Sequence, residues 1–350
     1  MAELSHEDLN RTALSRQALL QRSDASLPAV LERMGGLQAQ YAPSMYIGLW
    51  SRTERFTRSR LTAALEDRSV IQGTHQRGTI HLTSREDYWP FVIATRGALR
   101  EWWLRLKWDG VSLKAIEKTE ERVRRAFADR GGEPLHRTEL DDVVGRDNRG
   151  LVLGISLWLP MVRIPPSGTW DRRRADLYQL AEQWVGPEPA LAEAEARAHL
   201  ARRYIAGFGP TRPHDLKTWA GWIRVSDAKA ALEGLDVIEH TGPDGKPLLD
   251  LAELEITAGD APAPVRFLPT WDATLLAHAR RTRILPEQYR DRVFHVRVPQ
   301  SVATFTVGGA VAGSWRREHG HVELTWFAEP TPKEQRAVQA EAELLGALHR

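Results

Sequence analysis

The heptapeptides "ELDDVVG" (Glu139–Gly145) and "DLKTWAG" (Asp215–Gly221) share one pattern: an acid, a leucine, two polar residues, an apolar residue, a small or apolar residue and a glycine. Each follows an amphipathic stretch, Ile116–Arg130 or Ala190–Phe208, and each precedes another helical pattern and then strand-like sequence. Such a unit reads as a helix-turn-helix in which the leucine packs inward and the glycine permits the turn into the next helix. Repetition commits the chain to a series of small helical modules rather than one large sheet or barrel. The length agrees, since 350 residues exceed the roughly 250–300 at which a single core stops growing.

The N-terminal part supplies a third unit. "HEDLNRTALSRQALLQR" places Leu9, Ala13, Leu14, Ala18 and Leu19 at helical spacing. In "SLPAVLERMGG", Ser26 is an N-cap, Pro28 sits in the first turn and Gly35 and Gly36 stop the helix. Pro43 fits the start of a further helix that buries Met45, Ile47, Leu49 and Trp50, which leaves Gln38 and Gln40 on a short connection between helices. After a short helix in "TRSRLTAALEDR", alternation around Gln76–Thr83, with Gly73 and Gly78 as breakers, predicts a β-hairpin. Helices followed by a hairpin outline a winged helix. The expected class is therefore α+β: three tandem winged-helix modules over 1–110, 111–186 and 187–255, the last with "TGPDGKP" (Thr241–Pro247) as its strand-to-strand turn. "ITAGDAPAPV" (Ile256–Val265) reads as a linker into a C-terminal β-rich region, 256–350. There "HVRVPQSVATFTVGGAVAGSWRREHGHVELTWF" predicts a β meander and Lys333–Leu348 a closing helix.

Composition restricts the chemistry. The chain has no cysteine, which removes disulfides, thiolate catalysis, iron–sulfur clusters and cysteine-held zinc, and with them a zinc-dependent base deaminase. The longest apolar run, "LVLGISLWLPMV" (Leu151–Val162), is too short to span a bilayer, and "MAELSHEDLNR" lacks the apolar core of a signal peptide. The expected setting is the cytoplasm, with no membrane partner. A net charge of +2 is only mildly basic, but the arginines cluster in "WDRRRAD", "ARRYI", "HARRTRIL" and "SWRRE". Guanidinium forks match phosphate oxygens; a solvated surface balanced by 46 acids explains any single cluster equally well.

No P-loop, no G-x-G-x-x-G after a strand, no G-x-S-x-G and no H-E-x-x-H is present. "HGH" (His319–His321) reads as a polar turn rather than a metal site, and no cofactor is expected. What remains is "GGLQAQYAPSMYIGLWSR" (Gly35–Arg52), with two carboxamides one residue apart. A carboxamide does not take a proton as a carboxylate does, but its oxygen accepts and its NH₂ donates, so a pair can hold and orient one water. That device suffices only for a leaving group that departs readily. A purine alkylated at N7 already carries a positive charge, and cleaving its N-glycosidic bond releases a neutral base without prior protonation. The plainer use of the pair is to cap the helix near Pro43 or to satisfy backbone groups in the loop, and spacing alone favours that plainer use.

The segments "RQALLQR", "GLQAQYAPSMYIGLWSR", "RGTIHLTSREDYW", "LPTWDATLLAHARRTRIL" and "VGGAVAGSWRRE", in that order over nearly the whole chain, resemble the winged-helix DNA glycosylases of the AlkZ/AlkX (YcaQ-like) family. The resemblance implies three tandem winged helices and a β-rich element that embrace duplex DNA in a C shape. It implies a monofunctional glycosylase, acting as a monomer without a cofactor on double-stranded DNA that contains alkylated purines. Some members unhook interstrand crosslinks or excise bulky natural-product adducts in antibiotic self-resistance. The motif of that self-resistance branch, Gln, an aliphatic residue, then Gln, maps onto Gln38, Ala39 and Gln40, with Ala39 smaller than the usual middle residue. Gln38 and Gln40 would then be the catalytic, water-positioning pair.

DNA contacts are expected in three places. Arg77, Thr79 and His81 lie on the first hairpin, where Thr79 and His81 share one side of an extended strand; packing of that side into the interior is the alternative. Trp271, Asp272, Arg280, Arg281 and Arg283 lie where the C-terminal part should meet DNA, the arginines on phosphates. Arg316 and Arg317 follow the "VGGAVAG" turn on a hairpin that would reach the minor groove. The rival reading is a winged-helix transcriptional regulator without catalytic activity, which would tolerate loss of both glutamines.

Overall fold

Local capping chemistry starts the chain. Ser5 and Asp8 form a capping box that opens helix α1 (His6–Arg16), and the Ser26 hydroxyl accepts the Ala29 N–H to open α2 (Leu27–Met34). Ala18, expected within the first helix, lies past its end at φ 54°. Gly35 ends α2 at φ 70°, a conformation that only glycine takes without strain. A computed structural model describes residues 2–106, 108, 111–294, 301–319 and 321–349.

After α2 the chain departs from the loop expected there. Leu37–Gln38 forms a two-residue strand, β1, ahead of α3 (Ala42–Trp50) and α4 (Arg58–Glu66). The hairpin follows as β2 (Val70–Thr74) and β3 (Ile80–Ser84), joined through one tight turn of 3₁₀ helix at Gln76–Gly78. β1 pairs antiparallel with β3, Leu37 opposite Leu82 and Gln38 opposite His81. Burial of Leu37 and Leu82 fixes that register. Gly73 breaks nothing: it lies within β2 opposite His81, where an added Cβ would meet the Tyr88 ring at 2.5 Å.

The long helix α5 (Arg85–Arg105) leads to α6 (Leu113–Asp129), the short strand β4 (Leu135–His136), α7 (Arg137–Val144), α8 (Arg149–Trp158), β5 (Met161–Arg163) and β6 (Leu177–Leu180). A turn of helix, α9 (Ala181–Trp184), precedes α10 (Glu193–Phe208), α11 (Pro213–Ala220), α12 (Val225–Leu232) and the hairpin β7 (Val237–Thr241) with β8 (Pro247–Leu251). The repeated heptapeptides thus fall on α7 and α11. Leu140 and Leu216 are buried, and Gly145 and Gly221 end the two helices at φ 96° and 80°. The hairpins of the first two units share one six-stranded sheet, ordered β1-β3-β2-β5-β6-β4, whereas β7 and β8 form a separate two-stranded sheet with single bridges from Thr241 to Glu3 and from Leu249 to Thr211. Tyr88 and Phe91 of α5 pack with Tyr204 and Phe208 of α10 and Trp219 of α11 in a single core, so the first and third units are not separate bodies.

The C-terminal region contains β9 (Arg266–Leu268), two short helices, α13 (Ala273–Leu276) and α14 (Arg290–Val293), then β10 (Thr304–Val307), β11 (Ala310–Glu318), β12 (His321–Trp326) and α15 (Pro332–His349). Its sheet runs β12-β11-β10-β9. The start of the expected meander, 295–300, lies outside the described residues. Phe267, Phe305 and Trp315 pack with Met45, Tyr46 and Leu49 of α3, which draws this sheet against the segment that carries the glutamines. The stretch 256–265 does not hang free as a linker. Arg11 donates to the Ala261 carbonyl at 2.7 Å, and the Gly259 N–H donates to Asp8 at 2.9 Å. Among the described residues no helix is long and apolar enough to cross a membrane.

Candidate active site

Gln38 and Gln40 flank Ala39 on an extended segment laid along β3, with the Ala39 N–H donating to the Ile80 carbonyl at 2.7 Å. Residues two apart on such a segment leave the same face. Ala39 points into the core at 1% exposure; Gln38 is 8% exposed and Gln40 is exposed. The Gln38 Oε1 accepts from Arg77 Nη2 at 3.2 Å, and the Gln40 Oε1 accepts from the Ile80 N–H at 3.2 Å. Guanidinium and backbone N–H groups only donate, so the atom facing each must be the amide oxygen. Among the described residues neither NH₂ group has a partner, and each oxygen keeps a second lone pair. Neither glutamine caps α3, whose N-cap position is Tyr41 without a side-chain bond. The backbone-satisfying role is met in part, by Gln40 on Ile80.

Arg77 takes φ 55° in the tight turn and folds its guanidinium inward. It donates to the Trp219 carbonyl and to Gln38, and it lies 3.4 Å from His81 Nε2. Burial lowers its pKa to about 10, which leaves it cationic at neutral pH. His81 donates from Nδ1 to the Thr79 carbonyl at 3.0 Å, so its ring is neutral with Nε2 facing Arg77. The alternative given for this hairpin face holds at His81: the ring is 3% exposed and stacks on His75 with centroids 4.8 Å apart. It supports the site from below and does not lie on the surface. Thr79 is half-buried and donates to the Gln76 carbonyl at 3.1 Å.

Burial pushes His75 down to about 3 and, together with His75 and Arg77, holds His81 well below the usual histidine range. Both rings ionise near ~6.5 in the unfolded chain. The unfolded state therefore binds more protons below that pH, and stability falls on acidification towards pH 3. Thermal melts at pH 7 and pH 5 should show a lower Tm at pH 5, and His75→Phe should reduce that difference; an unchanged difference would remove His75 from this account.

The model of DNA glycosylases described as AlkZ-like matches residues 31–348. The chain belongs to the AlkZ-like DNA glycosylase family. It is accordingly an enzyme, a hydrolase of N-glycosyl bonds, with DNA as substrate. This AlkZ-like chain is similar to an interstrand DNA cross-link repair glycosylase of Streptomyces sahachiroi, 24% identical over 358 aligned positions that cover 94% of this chain and 92% of the relative. It also shares the fold of the Streptomyces sahachiroi DNA glycosylase AlkZ, with a TM-score of 0.81 at 20% identity over 99% of this chain and 97% of the other.

The remaining expected DNA contacts of the AlkZ-like chain divide sharply. Arg316 and Arg317 are exposed on β11, and both line a cavity of about 480 Å³ together with Tyr41, Pro43, Arg173 and Trp315. The C-terminal hairpin and the residue after Gln40 thus face one opening. Arg316 also bonds Glu318 at 2.5 Å and Glu323 at 2.8 Å. His319 lies beside these two carboxylates, with the three ligand atoms within 4.8 Å of one another. Arg280 is exposed on a different hollow, beside His6, Arg212 and His214.

The other four expected residues are tied to protein partners to different degrees. Asp272 is fully buried, with both oxygens on the equally buried Arg52, and cannot touch DNA. Arg283 spends its guanidinium on the carbonyls of Phe208 and Pro210, at 3.3 and 2.6 Å, where it closes the end of α10. Arg281 donates to the Leu275 carbonyl at 2.8 Å and lies over the Phe294 ring. Trp271 is half-buried at φ 59°, its N–H donating to Ser301 Oγ at 2.9 Å. Sequence reasoning missed His75, Trp219 and Tyr41; only the place of Trp219 in the repeated heptapeptide marked any of them.

Proposed function

We propose that this AlkZ-like enzyme is a monofunctional glycosylase that hydrolyses the N-glycosidic bond of N7-alkylated purines in double-stranded DNA, with Gln38 and Gln40 as its catalytic pair. The observation that carries the reading is the pair itself: two neutral amides on one face, each oriented by a donor, with no carboxylate among the described residues contacting either. A water seated there accepts from one NH₂ and donates to the second lone pair of the other amide, which leaves a lone pair aimed at the anomeric carbon. Such a pair supplies no acid. The base must depart unaided, as a cationic N7-alkylated purine does: the C1′–N9 bond breaks with its electron pair going to the base, which leaves neutral, while the water bonds C1′ and releases its proton to solvent.

In this reading the three helix-and-hairpin units are tandem winged helices, over 1–110, 111–186 and 187–255. With 256–350 they grip the duplex in a C shape as a monomer in the cytoplasm. The relative's name supports interstrand crosslinks as substrates, and bulky adducts belong to the same range. A crosslinked base is tethered to both strands and is not flipped into a closed pocket, which suits an amide at the surface such as Gln40. The role is self-resistance to a DNA-alkylating antibiotic. The experiment is incubation with duplexes carrying N7-methylguanine, a bulky N7 adduct or an N7-linked crosslink, followed by alkali. Free alkylated base and alkali-labile strands are expected; a regulator would leave every duplex intact and bind one sequence.

A further inference from the structure

We infer that Arg77 is a positioning residue for Gln38, and that through it the end of α11 sets the geometry of the catalytic pair. The inference rests on Gln38 acting in base release as proposed above. One planar fork reaches two distant segments: Nη1 donates to the Trp219 carbonyl, and Nη2 donates to the Gln38 Oε1 at 3.2 Å. A lysine ammonium has no such fork.

The Gln38 amide has no other hydrogen-bond partner among the described residues. Its terminal torsion would otherwise be broad and two-fold. Flipping the amide would set its NH₂ against the guanidinium, donor against donor, so Arg77 holds Gln38 with its NH₂ turned outward.

The backbone is built around this contact. Arg77 adopts the left-handed φ of 55°, which a non-glycine residue takes at a cost. Gly221, at φ 80°, brings the end of α11 so close that a Cβ there would lie 2.8 Å from the Arg77 nitrogen. Trp219 is in the last turn of α11, whose unpaired carbonyls attract a cation. Arg77 forms no ion pair among the described residues; the helix end, the Gln38 oxygen and the neutral His81 ring surround it instead. A phosphate clamp would present its guanidinium outward, as Arg317 does.

The test is a double-mutant cycle of Arg77→Met and Gln38→Ala, read as single-turnover release of N7-methylguanine and as duplex affinity across a salt series. Arg77→Met should slow release about tenfold or more with affinity and its salt slope unchanged. In the Gln38→Ala background it should add less than about twofold, because residues that act as one unit are not additive. Arg77→Lys should not restore the rate. If Arg77→Met does not fold, Gly221→Ala, which presses on the Arg77 backbone, takes its place in the cycle with the same expectation. Full additivity, or weaker binding with a shallower salt slope at an unchanged rate, would overturn the inference. Loss of rate in Gln38→Ala without loss in Arg77→Met would also overturn it while leaving the glutamine reading intact; a Gln38→Ala enzyme at the full rate would sink the glutamine reading itself.

Discussion

The double variant Gln38→Ala/Gln40→Ala is expected to release alkylated base about a hundredfold more slowly than the unaltered enzyme, or slower still, while it folds and binds duplex normally. Removing one preorganised hydrogen-bonding group from a reacting centre typically costs about 10²–10³ in rate, and here both groups that aim the water disappear together. The two single variants should each lose most of that factor, since a water held by one amide is no longer aimed. The fold survives because the local pairing is carried by backbone: the Ala39 N–H reaches the Ile80 carbonyl, and Leu37 stays buried against Leu82. Gln40 bonds the Ile80 N–H at an exposed site, where water replaces it. Time courses of free base by mass spectrometry, with melting and anisotropy controls, measure the effect. An undiminished rate would leave the pair without a catalytic role.

Asp272→Ala is expected to destabilise the protein by about 3–5 kcal/mol, the usual cost of leaving one partner of a buried ion pair alone. Arg52 and Asp272 are both 0% exposed at the side chain and meet through two bonds, at 2.9 and 2.8 Å. Arg52 also holds the Gly48 carbonyl, and Asp272 caps α13 through Thr274. The pair fastens the end of α3 to the segment that opens α13, so its loss loosens the C-terminal region against the helix that follows the glutamines. Urea denaturation compares it with Arg316→Ala, whose ion pairs lie at the surface and whose loss should leave stability within error of the parent. Equal midpoints for the two variants would refute the structural role assigned to Asp272.

Local rules carried part of the fold. The Ser26 cap, the Gly35 stop and the inward leucines Leu140 and Leu216 depend on neighbours within a turn or two, and each could be read from the chain. Features that depend on distant partners could not. β1 is a strand because β3, some forty residues later, offers it an edge, and the strand period gave the parity of Thr79 and His81 but not which side faces the interior. Asp272, in the mixed stretch "LPTWDATLL", and Arg283, in the arginine-rich "HARRTRIL", carry no local sign of burial. Their partners, Arg52 and the end of α10, are far away in the chain. The glutamines stood out through family resemblance rather than spacing, and the fork from Arg77 to Trp219 left no mark on the sequence.

Release of a cationic base compared with a neutral one tests the central claim most directly. The enzyme is given matched duplexes containing N7-methylguanine or hypoxanthine, and free base is quantified under single-turnover conditions. The account predicts ready release of N7-methylguanine and release of hypoxanthine at least about a hundredfold slower, because oriented amides offer the neutral base no acid. Comparable rates for the two would contradict it.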